Sequence, residues 1–347
     1  MKTEIVRITS PEEGEADLCV AAYIIRSGGL VVFPTETVYG LGGDATNPEA
    51  AERIYAAKGR PSDNPLIIHV ASPEEAEGYA YTTDLYYELA RRFMPGPLTV
   101  ILTARDTVPK KTRGGLDTVA VRCPENGIAR ALISLAGVPI AAPSANLSGT
   151  PSPTTARHVM EDMTGRVDMI IDGGDCDFGL ESTIVKLEDD GTMTLLRPGK
   201  ITAEELSEIA EVKLADAVKD KLADGARVLS PGMKYKHYAP STPLVLLDGD
   251  LEKIANYIEK AEQSSIALLC YDEETEKYSA CLSGVSLYSL GSAERESDCA
   301  HRLFALLRDV DKLGHSIIYA RLPGTEGISL AIYNRMIRAA AHTIIKL

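Results

Sequence analysis

The sequence predicts an α/β protein of two domains in series: a twisted mixed sheet with flanking helices, then a smaller Rossmann-like three-layer unit. Three observations predict it. At 347 residues the chain is longer than one ordinary core accommodates. Its first 200 residues alternate short β-branched runs with helical patterns, as a sheet between helices requires. After a Pro- and Gly-rich stretch, "SPGMKYKHYAP" at 230–240, the strand–helix rhythm restarts. The boundaries predicted are 1–210 for the first domain, 211–242 for a linker and 243–347 for the second domain.

Strands are expected at 30–33 (LVVF), 66–70 (LIIHV), 98–103 (LTVILT), 117–122 (DTVAVR), 138–142 (VPIAA), 168–171 (DMII), 182–187 (STIVKL) and 193–197 (MTLLR). Helices are expected near 16–27, 48–58, 84–93, 126–136, 154–163 and 203–209. The helix at 48–58 is the best marked. Asn47 can cap it, Pro48 suits its first position and Gly59 can end it. Beyond 209 a charged, helix-prone stretch runs to about 227. The second domain reads as strand 244–247, helix 251–262, strand 266–270, helix 293–312, strand 316–320 and helix 328–342, about a hundred residues in all.

Composition narrows the function. The net charge is −14, and neither half is basic, so the polybasic face of a protein that grips nucleic acid by its phosphates is missing. "MKTEIVRITSPEEGE" has no apolar core of a signal peptide, and no apolar run nears bilayer length. A cytoplasmic protein without membrane contact is expected. Six scattered cysteines without C-x-x-C predict buried, reduced thiols and no structural zinc. No second His or Cys stands at metal spacing from His69, so no protein-ligated metal is expected.

Nucleotide signatures of the usual kinds fail. No G-x-x-x-x-G-K-[ST] occurs. "YGLGGDA" (39–45) matches G-x-G-x-x-A, but Asp63 precedes rather than follows the next strand, so the glycines are read as a tight turn. "APSAN" is not a nucleophile elbow. What does recur is polar chemistry at strand ends. Thr35 and Thr37 follow one strand, Arg122 ends another, Ser144 and Asn146 follow a third, Ser182 and Thr183 open a fourth, and Arg197 ends a fifth. Lys58 and Arg60 close the helix at 48–58. Alone, the last two would be helix-end cations worth about 0.3–1 kcal/mol. Together with the others they describe a site for a strongly anionic ligand, since guanidinium forks and hydroxyls at such ends capture carboxylate and phosphate.

"PTETVYGLG", "KGRPSDNPL", "VAVRCP", "APSANLSG", "ESTIV" and "RPG" stand in the order of the threonylcarbamoyl-AMP synthase family, which the chain resembles from about residue 15 to 200. "PGMKYKHYAP" and the second domain resemble the long form of that family. The resemblance implies a YrdC-like catalytic domain and a linker that closes over its site. It also implies a reaction: L-threonine, bicarbonate or CO2, and ATP with Mg2+ give L-threonylcarbamoyl-adenylate, pyrophosphate and water. The product would serve a separate transferase complex that modifies tRNAs reading ANN codons, with a weak direct tRNA contact left open. By resemblance Lys58, Arg60, Ser144 and Asn146 form the signature tetrad. They line ATP with Ser62, Thr118, Ser152, Arg197 and Tyr235, while Thr35, His69, Arg122 and Ser182 line L-threonine. Two other readings stay open: an RNA-binding module on the same sheet, and another carbamoyl or adenylyl transferase.

Overall fold

The computed structural model describes residues 2–219 and 238–347. The described residues divide into two compact units: 2–148, 152–177 and 181–219 in the first, and 149–151, 178–180 and 238–347 in the second.

In the first unit, β1 (Glu4–Arg7), β2 (Val31–Phe33), β3 (Gly40–Asp44), β4 (Ile67–His69), β5 (Leu98–Thr103) and β6 (Thr118–Arg122) share a mixed sheet with five later strands. These are β7 (Ile140–Ala141), β8 (Met169–Asp172), β9 (Thr183–Leu187), β10 (Met193–Arg197) and β11 (Val212–Leu214). Their order is β1-β8-β2-β3-β7-β4-β6-β5-β9-β10-β11. Among the described residues these helices accompany them: α1 (Glu15–Arg26), α2 (Pro48–Lys58), α3 (Asp84–Phe93), α4 (Gly127–Ala136), α5 (Ala156–Met163) and α6 (Ala203–Ser207).

Side chains alternate along a strand, so each strand serves two faces. One face carries Val32, Leu41, Ile68, Val100, Val121 and Val185, packed with Ile54 of α2, Leu89 of α3 and Val159 of α5. The other face is divided. At the β1-β8-β2 end, Val31, Phe33 and Ile171 pack against Leu18 of α1 and Leu132 of α4. Across β4-β6-β5-β9-β10 the same face holds a smaller apolar cluster of Ile67, Ala120, Ile101, Ile184 and Leu196. Two residues further along these strands, alternation brings His69, Arg122 and Thr99 out on that face. They are paired in register as one row, His69 to Arg122 and Arg122 to Thr99.

The helix at 48–58 forms as expected. Asn47 Oδ1 accepts from Glu49 N at 2.9 Å, and Gly59 ends the helix at φ 62°. The glycines of "YGLGGDA" do not make a turn: Gly40–Asp44 is strand β3. Sequence patterning reads it poorly because its glycines answer to packing. A Cβ on Gly42 would stand 2.7 Å from Phe33 Cε1 and 2.8 Å from Ile140 Cγ2. The helix-prone stretch beyond 209 also differs, since Val212–Leu214 pairs parallel with β10. Edge strand β1 went unpredicted; it is only four residues long and mostly exposed.

The second unit is a parallel sheet of β12 (Leu244–Asp248), β13 (Ile266–Cys270), β14 (Val285–Ser289), β15 (Ile317–Arg321) and β16 (Ile344–Lys346), in the order β14-β13-β15-β12-β16. Its helices are α7 (Leu251–Glu259), α8 (Asp272–Cys281), α9 (Glu296–Asp311) and α10 (Ser329–Ala339). The sequence reading lacked α8, β14 and β16. Helix α8, DEETEKYSAC, buries only Glu274 and Tyr278 and so has no apolar stripe to read. Four cysteines are buried as expected, but Cys19 and Cys281 are exposed. No helix among the described residues is long and apolar enough to cross a membrane.

Candidate active site

The site residues of the first unit fall into three clusters and a few outliers. The first joins the end of α2 to the turn after β7. Lys58, 3% exposed, donates from Nζ to Ser144 O, to Asn146 O at 2.7 Å and to Asn146 Oδ1 at 3.3 Å. Ser144 Oγ donates to the same Asn146 Oδ1. The turn is held from the other side too, as Ser144 bridges Gly40 and Ala145 N donates to Tyr39 O at 2.8 Å. Lys58 therefore does more than end a helix: it orders the 144–146 backbone. Arg60, 7% exposed, sits two residues on and donates from Nη2 to Pro65 O at 3.0 Å and Asn64 O at 3.3 Å. Tyr55 Oη reaches the same Asn64 O at 3.2 Å, and burial pushes its pKa up to about 12, so it remains a donor.

The second cluster lies where the β2–β3 loop crosses the polar row of the sheet. Arg122, 4% exposed, donates from Nη2 to Glu36 Oε1 at 2.6 Å and to Thr37 Oγ1 at 2.9 Å. Thr37 and Thr35 share a hydroxyl bond of 2.9 Å, and Thr35 Oγ1 donates to Val38 O at 2.6 Å. His69 is beside Arg122 in register. Its Nδ1 lies 3.3 Å from Ile140 O, a carbonyl that can only accept, which places the proton on Nδ1 and the lone pair on Nε2. Burial first and the Arg122 charge second lower its pKa to about 3, so the imidazole is neutral.

The third cluster is next along the sheet. Ser182 and Thr99 share a hydroxyl bond of 2.7 Å, and Arg197 donates to Ser182 O at 3.0 Å and to Ser182 Oγ at 3.1 Å. The bulge between Leu195 and Arg197 turns the guanidinium toward Ser182. Ser152 donates to Glu181, the neighbour of Ser182 in sequence.

Two predicted residues stand apart from these clusters. Ser62 is exposed and lines a groove of about 440 Å3 with Tyr55, Lys110 and Lys111. Thr118, half-buried, pairs with Thr103 at the far end of β6 and lines a groove of about 640 Å3 with Tyr81 and Lys186. Tyr235 lies outside the described residues. Sequence reading missed Glu36, Asn64, Thr99, Arg113 and Glu181. Glu36 was inside a quoted motif, and the signal available was a carboxylate between two threonines at a strand end. Arg113, 5% exposed, is on a turn whose Gly114 packs against Asp63 and Pro65; nothing in "KKTRGG" marks it as buried. Among the described residues no group of three or more His, Cys, Asp or Glu could hold a metal ion.

Two family models match consecutive parts of the chain. One described as "Telomere recombination" matches residues 23–199, and one described as "Threonylcarbamoyl-AMP synthase, C-terminal domain" matches residues 201–341. The threonylcarbamoyl-AMP synthase of Pyrococcus abyssi is 45% identical over 333 residues, 94% of this chain and 95% of that protein. The enzyme of the same name from Bacillus subtilis is 40% identical, over 96% of this chain and 95% of its own length. The chain belongs to the threonylcarbamoyl-AMP synthase family. A crystal structure of P. abyssi Sua5 complexed with L-threonine superposes with a TM-score of 0.88 at 41% identity, covering all of both chains. A doubly substituted variant of that protein reaches 0.90, covering 99% of this chain and 98% of its own. The fold predicted, a YrdC-like sheet followed by a parallel α/β unit, is the fold found.

Proposed function

We propose that this chain is an L-threonylcarbamoyladenylate synthase whose chemistry takes place among the three clusters of the first unit. One observation carries the assignment. Lys58, Arg60, Arg122 and Arg197 are buried at 3–7% exposure, beside the hydroxyls of Thr35, Thr37, Thr99, Ser144 and Ser182. Cations kept this dry are suited to anions that must be brought together out of water.

The reaction needs such a site. The threonine ammonium sheds protons and its nitrogen bonds to the carbon of CO2, or of bicarbonate with loss of water, giving a carbamate. A carbamate oxygen then attacks the α-phosphorus of ATP, the bond to the β-phosphate oxygen breaks, and pyrophosphate leaves. Threonine carboxylate, carbamate and triphosphate are all anionic, so holding and screening them supplies most of the acceleration. In this reading Lys58, Arg60, Ser144, Asn146, Ser152 and Arg197 hold ATP, with Ser62 and Thr118 at its margins. Thr35, His69, Arg122 and Ser182 hold threonine. The apolar patch of Ile67, Ala120, Ile101 and Ile184 offers a platform for the base. The donors are cations and hydroxyls, which fits ATP arriving with its own Mg2+. Bound to the phosphates as part of the substrate, Mg2+ would supply screening of the pyrophosphate charge.

In this reading the catalytic part is residues 1–210, followed by a linker at 211–242 and a C-terminal domain at 243–347. The enzyme works in the cytoplasm, and its product passes to a transferase complex acting on tRNA. The test is pyrophosphate release from MgATP. It should require both L-threonine and bicarbonate, and fall away with either omitted. Release that ignores threonine would overturn the proposal.

A further inference from the structure

We propose that Glu36 is a substrate-binding residue: its carboxylate receives the ammonium of the amino acid while Arg122 receives the carboxylate. The inference rests on the reading of this site as an amino-acid site and adds a residue to it.

Glu36 is 4% exposed and stands between Thr35 and Thr37 on the β2–β3 loop. Its Oε1 accepts from Arg122 Nη2 at 2.6 Å, and Nη2 donates again to Thr37 Oγ1 at 2.9 Å. The Thr35–Thr37 hydroxyl bond fixes the loop on either side. Two polar atoms of the pair are then left over. Glu36 Oε2 and Arg122 Nε are both buried, and among the described residues neither has a hydrogen-bond partner. A carboxylate oxygen can only accept, and a guanidinium N–H can only donate. Leaving such groups unmatched costs about 1–3 kcal/mol each, more for charged ones.

A purely structural ion pair would not be left this way, and the same chain contains one for comparison. In the second unit Glu274, 3% exposed, accepts from Arg321 on one oxygen and from Tyr271 N at 3.2 Å on the other. Both of its oxygens are engaged. The Glu36–Arg122 pair instead leaves one negative acceptor and one positive donor unmatched. An α-amino acid zwitterion has the complementary ends, an ammonium and a carboxylate separated by one carbon. His69, the register neighbour of Arg122, does not compete as a cation, because burial and Arg122 keep it neutral. Holding the ammonium also fixes the nitrogen that must meet CO2.

The experiment uses the full-length chain with MgATP and two ligands, L-threonine and 2,3-dihydroxybutanoate, which has a hydroxyl in place of the amine. Wild-type protein should bind threonine at least about 30-fold tighter than the hydroxy acid, the worth of one charged hydrogen bond. Glu36→Gln keeps the shape and an acceptor for Arg122 but loses the charge. It should raise KM for threonine by about the same factor, leave KM for ATP within about threefold, and bring the two ligands to within about threefold of each other. A wild-type preference below about threefold overturns the proposal without any variant, so a Glu36→Gln chain that fails to fold cannot shelter it. So does a folded Glu36→Gln that keeps both its KM for threonine and its preference. If wild-type pyrophosphate release ignores threonine, the functional reading fails instead, and calorimetric binding of the two ligands still decides the role of Glu36.

Discussion

Replacing Lys58 by methionine separates a catalytic cation from a helix-end charge, and the structure gives the size of each. Methionine keeps the length and removes the donor. Among the described residues Lys58 donates to two backbone carbonyls, Ser144 O and Asn146 O, and over a longer distance to Asn146 Oδ1. Counting only the two to the backbone, at the low end for charged donors, the loss is about 3 kcal/mol. For a folding unit of roughly 150–250 residues, as the first unit is, about 1 kcal/mol moves Tm by roughly 2–4 °C, so its Tm should drop by roughly 6–12 °C. The turn carrying Ser144 and Asn146 is released at the same time, and a fixed cation is lost from the site. Losing one such preorganised group costs about 10²–10³ in rate. Threonine- and bicarbonate-dependent pyrophosphate release gives kcat/KM, and a thermal melt gives Tm. A charge that merely faces the helix end would contribute about 0.3–1 kcal/mol and nothing to rate. A kcat/KM within about threefold of wild type, with a Tm loss of only about 1–4 °C, would refute the role given to Lys58.

Other outcomes follow from the same geometry. His69 has its folded pKa lowered to about 3 from 6.5, so the unfolded chain binds its proton first as pH falls. Its contribution is whole above pH 6.5 and is lost between there and pH 3, by about 1.4 kcal/mol per pH unit. His69→Gln should flatten the acid limb of a denaturation-against-pH series by one proton, and an unchanged slope would show the imidazole to be charged in the fold. Gly42→Ala puts a Cβ 2.7 Å from Phe33 Cε1 and 2.8 Å from Ile140 Cγ2. Such overpacking costs about 1–3 kcal/mol, and a denaturant midpoint equal to wild type would contradict the close packing described for β3.

Elements with a local signature were legible in the sequence. Helix α2 announced itself through Asn47, Pro48 and Gly59, and β5 through LTVILT, because caps, propensity and alternation act over a few residues. The gathering of polar residues at strand ends was legible too, and it pointed to a site for an anionic ligand. Pairing across the sheet was not legible. That His69 lies beside Arg122, Arg122 beside Thr99, and Arg197 on Ser182 depends on register between segments 15 to 53 residues apart. Strand β3 escaped because its glycines reflect the space left by Phe33 on the neighbouring strand and by Ile140, which is distant in sequence. Glu36 escaped for the same reason. A glutamate between two threonines reads as an exposed loop residue until folding buries it against Arg122, and only then does its unmatched oxygen acquire a meaning.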